Sequence, residues 1–249
     1  MDLGIEGKFA AVAASTSGLG FAAAQALARE GVNVAICGRD RVTAERAAAK
    51  IGRTTVPIIA DVATQEGAVE FTAEAQRQLG QIDILVINAP GTPTGTFATI
   101  EPGAFAPALE SHILSVVAMC RSVLGAMQER RWGRVVAITS SGVRQPIPDL
   151  ILSNTGRTGL TAFLKTVALE VAAHEITVNS VQPGYHRTQR LVSWAGNDRL
   201  KELALDVPAR RLGDAEDLGA LVAFLCSQSA RYITGAAIPV DGGLSRGLM

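Results

Sequence analysis

The first residues in the chain that could do chemistry are Ala14-Ser15-Thr16-Ser17-Gly18-Leu19-Gly20, at the end of the short apolar run Phe9–Ala14. Glycines at this spacing let a backbone turn sharply and approach a pyrophosphate closely. A helix opening at Leu19 adds free N–H groups and the positive end of its dipole, so the segment is either an anion cradle or a plain tight turn. Nothing comparable marks a metal site or thiol chemistry. Cys37, Cys120 and Cys226 are widely separated and odd in number, without the close pairing of a zinc or redox motif. They read as buried thiols of a protein in a reducing compartment.

A turn of this kind needs a strand before it and a helix after it, and the chain has that alternation throughout. Phe9–Ala14, Val32–Cys37, Thr55–Ala60, Ile82–Asn88, Arg134–Ser140, Thr177–Val181 and Ala236–Val240 are short apolar runs, read as strands buried on both faces. Between them, amphipathic patterns predict helices near Leu19–Glu30, Arg41–Ile51, Gln65–Leu79, Pro102–Arg130, Ile151–Ala173 and Ala215–Ser227. This order implies an α/β fold, a doubly wound parallel sheet of the Rossmann type, in one domain over residues 1–249. No linker and no repeat of fixed period divides the chain. The stretch Thr188–Arg211 follows a Pro-Gly and is expected to form a helical flap over a site.

Composition narrows the partners. The chain is 48% hydrophobic and 18% charged, with Lys+Arg and Asp+Glu both at 23, so the basic surplus of nucleic-acid binders is missing. The start, MDLGIEGKFA, lacks a secretory pattern, and no apolar stretch is expected to cross a bilayer. A cytoplasmic protein with a small-molecule substrate is the expectation, with no nucleic acid, membrane or metal partner.

Several further segments give the glycine turn its context. They are Asp61-Val62, Asn88-Ala89, Pro183-Gly184 with Thr188, Arg211-Leu212-Gly213, Ile233-Thr234-Gly235 and Asp241-Gly242-Gly243. In this order they resemble the short-chain dehydrogenase/reductase family, over essentially the whole chain. The nearest branch is that of the 3-oxoacyl-acyl-carrier-protein reductases. Ala14 stands where the family's Gly-x-x-x-Gly-x-Gly begins, and Ile87 and Pro90 replace two residues of its Asn-Asn-Ala-Gly. The methyl group of Ala14 is tolerable if the position needs tight packing and not a positive φ.

The resemblance implies a nicotinamide dinucleotide bound by Ala14, Ser15, Ser17, Gly18, Leu19, Gly20, Asp61, Val62, Asn88, Ala89, Pro183, Gly184 and Thr188. An NAD-preferring site places a carboxylate after the second strand, against the ribose. Here Gly38 and then Arg39 follow, and a guanidinium there can pair with a 2′-phosphate. NADP(H) is therefore favoured over NAD(H), unless Arg39 is an ordinary solvated residue. Asp40 is read as a helix cap.

The family's proton-transfer residues are Ser, Tyr, Lys and Asn, and three of these four roles are altered. Ser140 matches the Ser, with Ser141 as the alternative if the register slips. Ser153 stands in the Tyr position, Arg157 in the Lys position and His112 in the Asn position. Neither Tyr185 nor Tyr232 precedes a Lys at the required spacing, so no shift of register restores the pair. A serine hydroxyl can hydrogen-bond a carbonyl but is too weak an acid to replace a phenol. Arg157 can stabilise an oxyanion and hold the ribose, and His112 ordinarily titrates near neutrality.

Ser140, Ser153, Arg157 and His112 are thus the expected catalytic set, with His112 supplying the proton through water. Ser140, Tyr185 and Trp194 are the expected substrate contacts, although packing against the flap is the favoured place for Tyr185. Apolar residues in Pro146–Pro148 and Leu191–Val207 point to a largely apolar substrate. The resulting reading is an oxidoreductase on a carbonyl or alcohol. The alternatives are a redox-neutral lyase or isomerase using an oxyanion site, and a non-catalytic cofactor-binding protein. The apolar helices around Ile113–Met127 and Gly159–Val171 imply, by the resemblance, a homodimer or homotetramer.

Overall fold

A computed structural model of the chain describes residues 2–52 and 54–247. Met1, Arg53, Leu248 and Met249 of the single expected domain lie outside them. Seven strands form one sheet: β1 (Phe9–Val12), β2 (Asn33–Gly38), β3 (Val56–Ile59), β4 (Ile84–Ile87), β5 (Gly133–Ile138), β6 (Ile176–Pro183) and β7 (Ala237–Val240). All neighbours are parallel, in the order β3-β2-β1-β4-β5-β6-β7. Each expected strand is present, most of them trimmed by a residue or two where the chain leaves the sheet for the site.

The side-chain period of two sends successive residues into two different cores. Ala11, Ala35, Cys37, Leu85, Ile87, Val135 and Ala137 point to one face. Ala10, Val12, Val34, Ile36, Ile84, Val86, Val136 and Ile138 point to the other. Buried on both sides, these strands show no polar face, which is why they read as continuous apolar runs.

The helices are α1 (Gly18–Arg29), α2 (Arg41–Ile51), α3 (Gln65–Leu79), α4 (Phe105–Leu109), α5 (Ser115–Arg130), α6 (Ile151–Val171), α7 (Gln189–Asp206) and α8 (Ala215–Leu225). Side chains of α1 and α8 fill the second core, and those of α3, α5 and α6 fill the first. α1 and α8 approach so closely that a Cβ on Gly219 would lie 2.6 Å from the Ala22 carbonyl. Asp40 caps α2 by accepting from the Thr43 N–H at 2.8 Å, as its position before the helix suggests.

The expectation of no bilayer-length segment needs correcting. Pro102–Arg130 forms one helical run of 29 residues, long and apolar enough by length and composition to cross a membrane. Within this fold Val116, Met119, Cys120, Val123 and Met127 are buried in the core. α4 and α5 are joined by a π-helical turn, Glu110–Leu114, which carries His112. Such wide turns re-aim a side chain and are frequent at functional sites. The expected flap is helical, and Gly196 (φ +67°) breaks α7 in its middle.

Candidate active site

Strand order reverses on either side of β1 and β4, and their carboxyl ends open the crevice in which such sheets bind ligands. Asn88 donates from Nδ2 to the carbonyl of Ala14 at 2.9 Å, joining the two strand ends. Ala14 has φ +45°, a left-handed conformation that disfavours any residue with a Cβ. The expectation that this alanine is tolerated because the position needs packing alone is therefore corrected: the turn does require positive φ. Its N–H donates to the Cys37 thiol at 3.2 Å. Burial pushes that thiol up to about 12, so Cys37 serves the turn as a neutral acceptor.

Gly18 (φ +61°) and Gly20 complete the cradle. A Cβ at Gly20 would stand 2.7 Å from both the Ala14 carbonyl and Asn88 Nδ2, so only glycine fits. Ser17 begins α1 without a side-chain cap, which leaves the first helical N–H groups without that partner at the opening. Leu19 is partly buried behind them. Ser15 corrects the expected ligand set. Its hydroxyl donates to the Val12 carbonyl at 2.6 Å and accepts from the Cys37 N–H at 3.2 Å, and the residue is wholly buried. It builds the turn and does not face a ligand.

At the adenosine end a Cβ on Gly38 would lie 2.5 Å from Thr16 Cγ2, so the floor there is bare backbone. Arg39 is largely exposed and lies 4.0 Å from the Asp61 carboxylate, while Asp61 also accepts from the Ala63 N–H at 3.1 Å. Val62 is buried beneath Asp61, and Ala89 follows Asn88 at the rim. At the other end the Thr188 methyl sits 3.8 Å from where a Gly18 Cβ would be, and its hydroxyl caps α7. Gly184, after Pro183, lets this segment close on Asp241: a Cβ there would come within 2.7 Å of the Asp241 Cβ. The cradle fits a dinucleotide: glycine floor, free helix N-terminus, exposed guanidinium.

α6 begins beside the end of β5 and brings the expected catalytic residues together. Arg157 is buried and donates from Nη1 to the Ile138 carbonyl at 2.9 Å and from Nε to Ser153 Oγ at 3.2 Å. Burial, and then the charge of Arg190, draws its pKa down to about 10, which still leaves it cationic at neutral pH. Ser140 Oγ accepts from the Gly142 N–H at 3.0 Å. Each serine thus has a lone pair engaged and a proton to give. The adjacent Ser141 is buried. Asn154 holds the intervening loop by donating to the Ile147 carbonyl at 2.9 Å and accepting from its N–H.

His112 lies against this group, but its chemistry differs from expectation. The ring occupies the space a side chain on Gly156 would fill: a Cβ there would be 2.8 Å from Nδ1. Nε2 makes a long contact, 3.4 Å, to the Pro90 carbonyl, and Nδ1 has no partner. Burial first, then the charges of Arg157 and Arg190, pushes its pKa down to about 4. With its pKa so lowered the ring is neutral at physiological pH and keeps a single N–H, placed against the Pro90 carbonyl, which argues against the expected role of a titrating acid. Gly156 was the unread signal in the sequence, because a glycine inside a helix needs a reason.

The two aromatic substrate contacts also change. Tyr185 packs with Leu191, Val192, Leu200, Leu203 and Leu212 beneath the flap. It lines a separate cavity of about 310 Å³ with Asp241 and Gly242, away from Ser140. Trp194 is more than half exposed on α7. Arg190 is the residue that sequence reasoning missed. Its guanidinium lies where a Gly91 side chain would be, 0.9 Å from the Cβ position, and donates to the Thr92 carbonyl at 3.3 Å.

Crevice, glycine cradle and hydroxyl pair define a dinucleotide-binding oxidoreductase of the open parallel-sheet class. Comparison with known proteins makes this specific. A family model described as enoyl-(acyl carrier protein) reductase matches residues 13–245. Human dehydrogenase/reductase SDR family member 4 is 32% identical over 95% of this chain and 87% of its own. A 3-oxoacyl-acyl-carrier-protein reductase of Haemophilus influenzae is 32% identical over 96% of this chain and 99% of its own. The structure of L-sorbose reductase from Gluconobacter frateurii, complexed with NADPH and L-sorbose, superposes with TM-score 0.93 at 30% identity, covering 100% of both chains. That of 3-ketoacyl-acyl-carrier-protein reductase from Brucella melitensis, complexed with NADH, gives 0.90 at 29% identity, covering 97% of this chain and 99% of its own. The chain belongs to the short-chain dehydrogenase/reductase family, as its motifs imply, and to its nicotinamide-dependent oxidoreductases.

Two predictions follow from this geometry. Ala14→Gly should stabilise the fold by up to about 1 kcal/mol, the left-handed penalty less the added freedom of the unfolded chain. Urea unfolding checks this, and an unchanged or lowered midpoint would show that Ala14 is unstrained. The second concerns pH. The folded pKa of His112 lies below its ordinary 6.5, so the unfolded chain binds more protons between about pH 4 and 6.5. Stability should therefore fall as pH drops through that window, by at most on the order of 3 kcal/mol from this ring. His186, also pushed down by burial, acts in the same direction. His112→Asn should flatten the slope measured by urea unfolding at pH 7 and pH 5; an unaltered slope would mean the ring titrates normally.

Proposed function

We propose that the protein is an NADP(H)-dependent oxidoreductase acting on a carbonyl or alcohol in a largely apolar substrate. The observation that carries this reading is the pair Ser140 and Ser153. Each hydroxyl has its acceptor side engaged, by Gly142 N–H and by Arg157 Nε, and its proton left to point at a substrate oxygen. In Ser153 that proton is made more acidic by the guanidinium behind it, a charge-assisted chain ending at the reacting oxygen.

When bound, the reduced nicotinamide supplies a hydride to the carbonyl carbon. As the C=O π bond breaks, negative charge builds on oxygen, and Arg157, held by Ile138 and Ser153, stabilises it through the Ser153 hydroxyl. The proton that completes the alcohol comes from solvent and is passed along water and the serine hydroxyls. His112 is neutral throughout and shapes the path. Arg39 supports the NADP preference: it is exposed, its single long ion pair is to Asp61, and no carboxylate stands at Gly38 to repel a 2′-phosphate. Exposed Leu114 and Leu169 on the outer faces of the π turn and α6 support association into a homodimer or homotetramer; sedimentation as a monomer would overturn that.

One observation favours a second reading. A guanidinium beside two hydroxyls is also an oxyanion site for redox-neutral enolate chemistry. NADPH and NADH oxidation against ketones, aldehydes and 3-oxoacyl thioesters tests both. Turnover by the wild type, with no inflection near pH 6.5 in kcat/KM, is expected, and Arg39→Ala should lower the preference for NADPH about tenfold or more, the worth of one charge-assisted contact. A silent wild type beside an active Ser153→Tyr/Arg157→Lys variant would show that the frame can transfer hydride but that its native residues do otherwise.

A further inference from the structure

The site holds the buried guanidinium of Arg157 and, at its exposed side, that of Arg190. Among the described residues, neither Arg157 nor Arg190 has a carboxylate within 4.0 Å. The charge of Arg190 bears on Arg157, and after burial both push His112 towards its neutral form. A buried cation left beside a second cation is costly unless something anionic joins it.

The placement of Arg190 indicates where that anion comes from. Thr188, two residues earlier, touches the glycine turn at Gly18, the phosphate end of the crevice. Arg190 instead reaches the loop after β4, where it replaces a Gly91 side chain and bonds to Thr92. That loop continues to Gly95, whose N–H donates to the Asp149 carbonyl at 2.6 Å, immediately before the helix that carries Ser153. Arg190 therefore lies on the substrate side of the crevice. Leu191 and Val192 follow it beneath the flap.

We propose that the substrate is an oxo acid, its carboxylate paired with Arg190 while its carbonyl lies at Ser140 and Ser153 and its apolar part meets the flap. Gly91 is then a specificity-determining position, because only a residue without a side chain lets the guanidinium seat. This rests on the reductase reading above but adds to it a charge requirement that the reading does not contain.

The test compares 4-methyl-2-oxopentanoate and acetoacetate with their methyl esters, by NADPH oxidation and by calorimetric titration of the NADP⁺-loaded protein. The wild type should prefer acid over ester. Arg190→Leu should cut that ratio of kcat/KM about tenfold to a hundredfold, the worth of a charge-assisted pair. Arg190→Lys should retain part of it, and Gly91→Ala, which displaces the guanidinium without removing it, should lower it in the same direction. A thermal melt of each variant reports whether it is folded. Equal use of acid and ester by the wild type would overturn the proposal. So would an Arg190→Leu variant whose loss appears as weakened NADPH affinity, which would assign Arg190 to the cofactor diphosphate. Should the protein bind the acids without turning them over, and lose that binding in Arg190→Leu, the anion site stands and the reductase reading fails. Binding of neither acid nor ester overturns the anion site.

Discussion

The hydrogen bond from Asn88 Nδ2 to the carbonyl of Ala14 spans the point where strand order reverses, and the site is arranged around it. It ties β4 to the turn after β1. That turn is held from the other side by Cys37 and Ser15, both wholly buried. The carbonyl so fixed leaves no room for a Cβ at Gly20, which makes the start of α1 bare backbone. One contact thus decides where a pyrophosphate can lie, and the loop continuing from Asn88 decides where Pro90 meets His112 and where Gly91 and Thr92 meet Arg190. The strained φ of Ala14 is the cost of keeping that carbonyl in place with an alanine.

The second constraint is electrostatic. Arg157 is a planar, persistent cation that donates to the Ser153 hydroxyl beside it. Arg157 spends two of its donors on Ile138 and Ser153, so its position is rigid. Burial first, and then the charges of Arg157 and Arg190, push the His112 pKa down. Segments far apart along the chain are therefore coupled: a cation on α6 and a cation on α7 both act on the histidine of the π turn. The small side chains at Gly91 and Gly156 are part of the same arrangement, since Arg190 and His112 occupy the space their side chains would take.

Much of this was legible in the chain. All seven strands and the α/β class follow from apolar runs of strand length between amphipathic segments, because strands buried on both faces cannot carry polar residues. The glycine turn, the Asp40 cap and the membership of Ser140, Ser153, Arg157 and His112 in one group could also be read, since motif order along a right-handed parallel sheet fixes which strand ends meet. Ser15, His112 and Arg190 could not be read correctly, whereas the packing of Tyr185 against the flap could. Ser15 is buried in the turn, and the ionisation of His112 depends on its burial and on two cations 45 and 78 residues further along. By itself the sequence determined the fold and the cofactor frame, because periodicity and residue type are local properties. Side-chain direction, the strain at Ala14 and the net charge of the pocket were decided only by the tertiary structure, because burial and electric field depend on what distant segments place around a group.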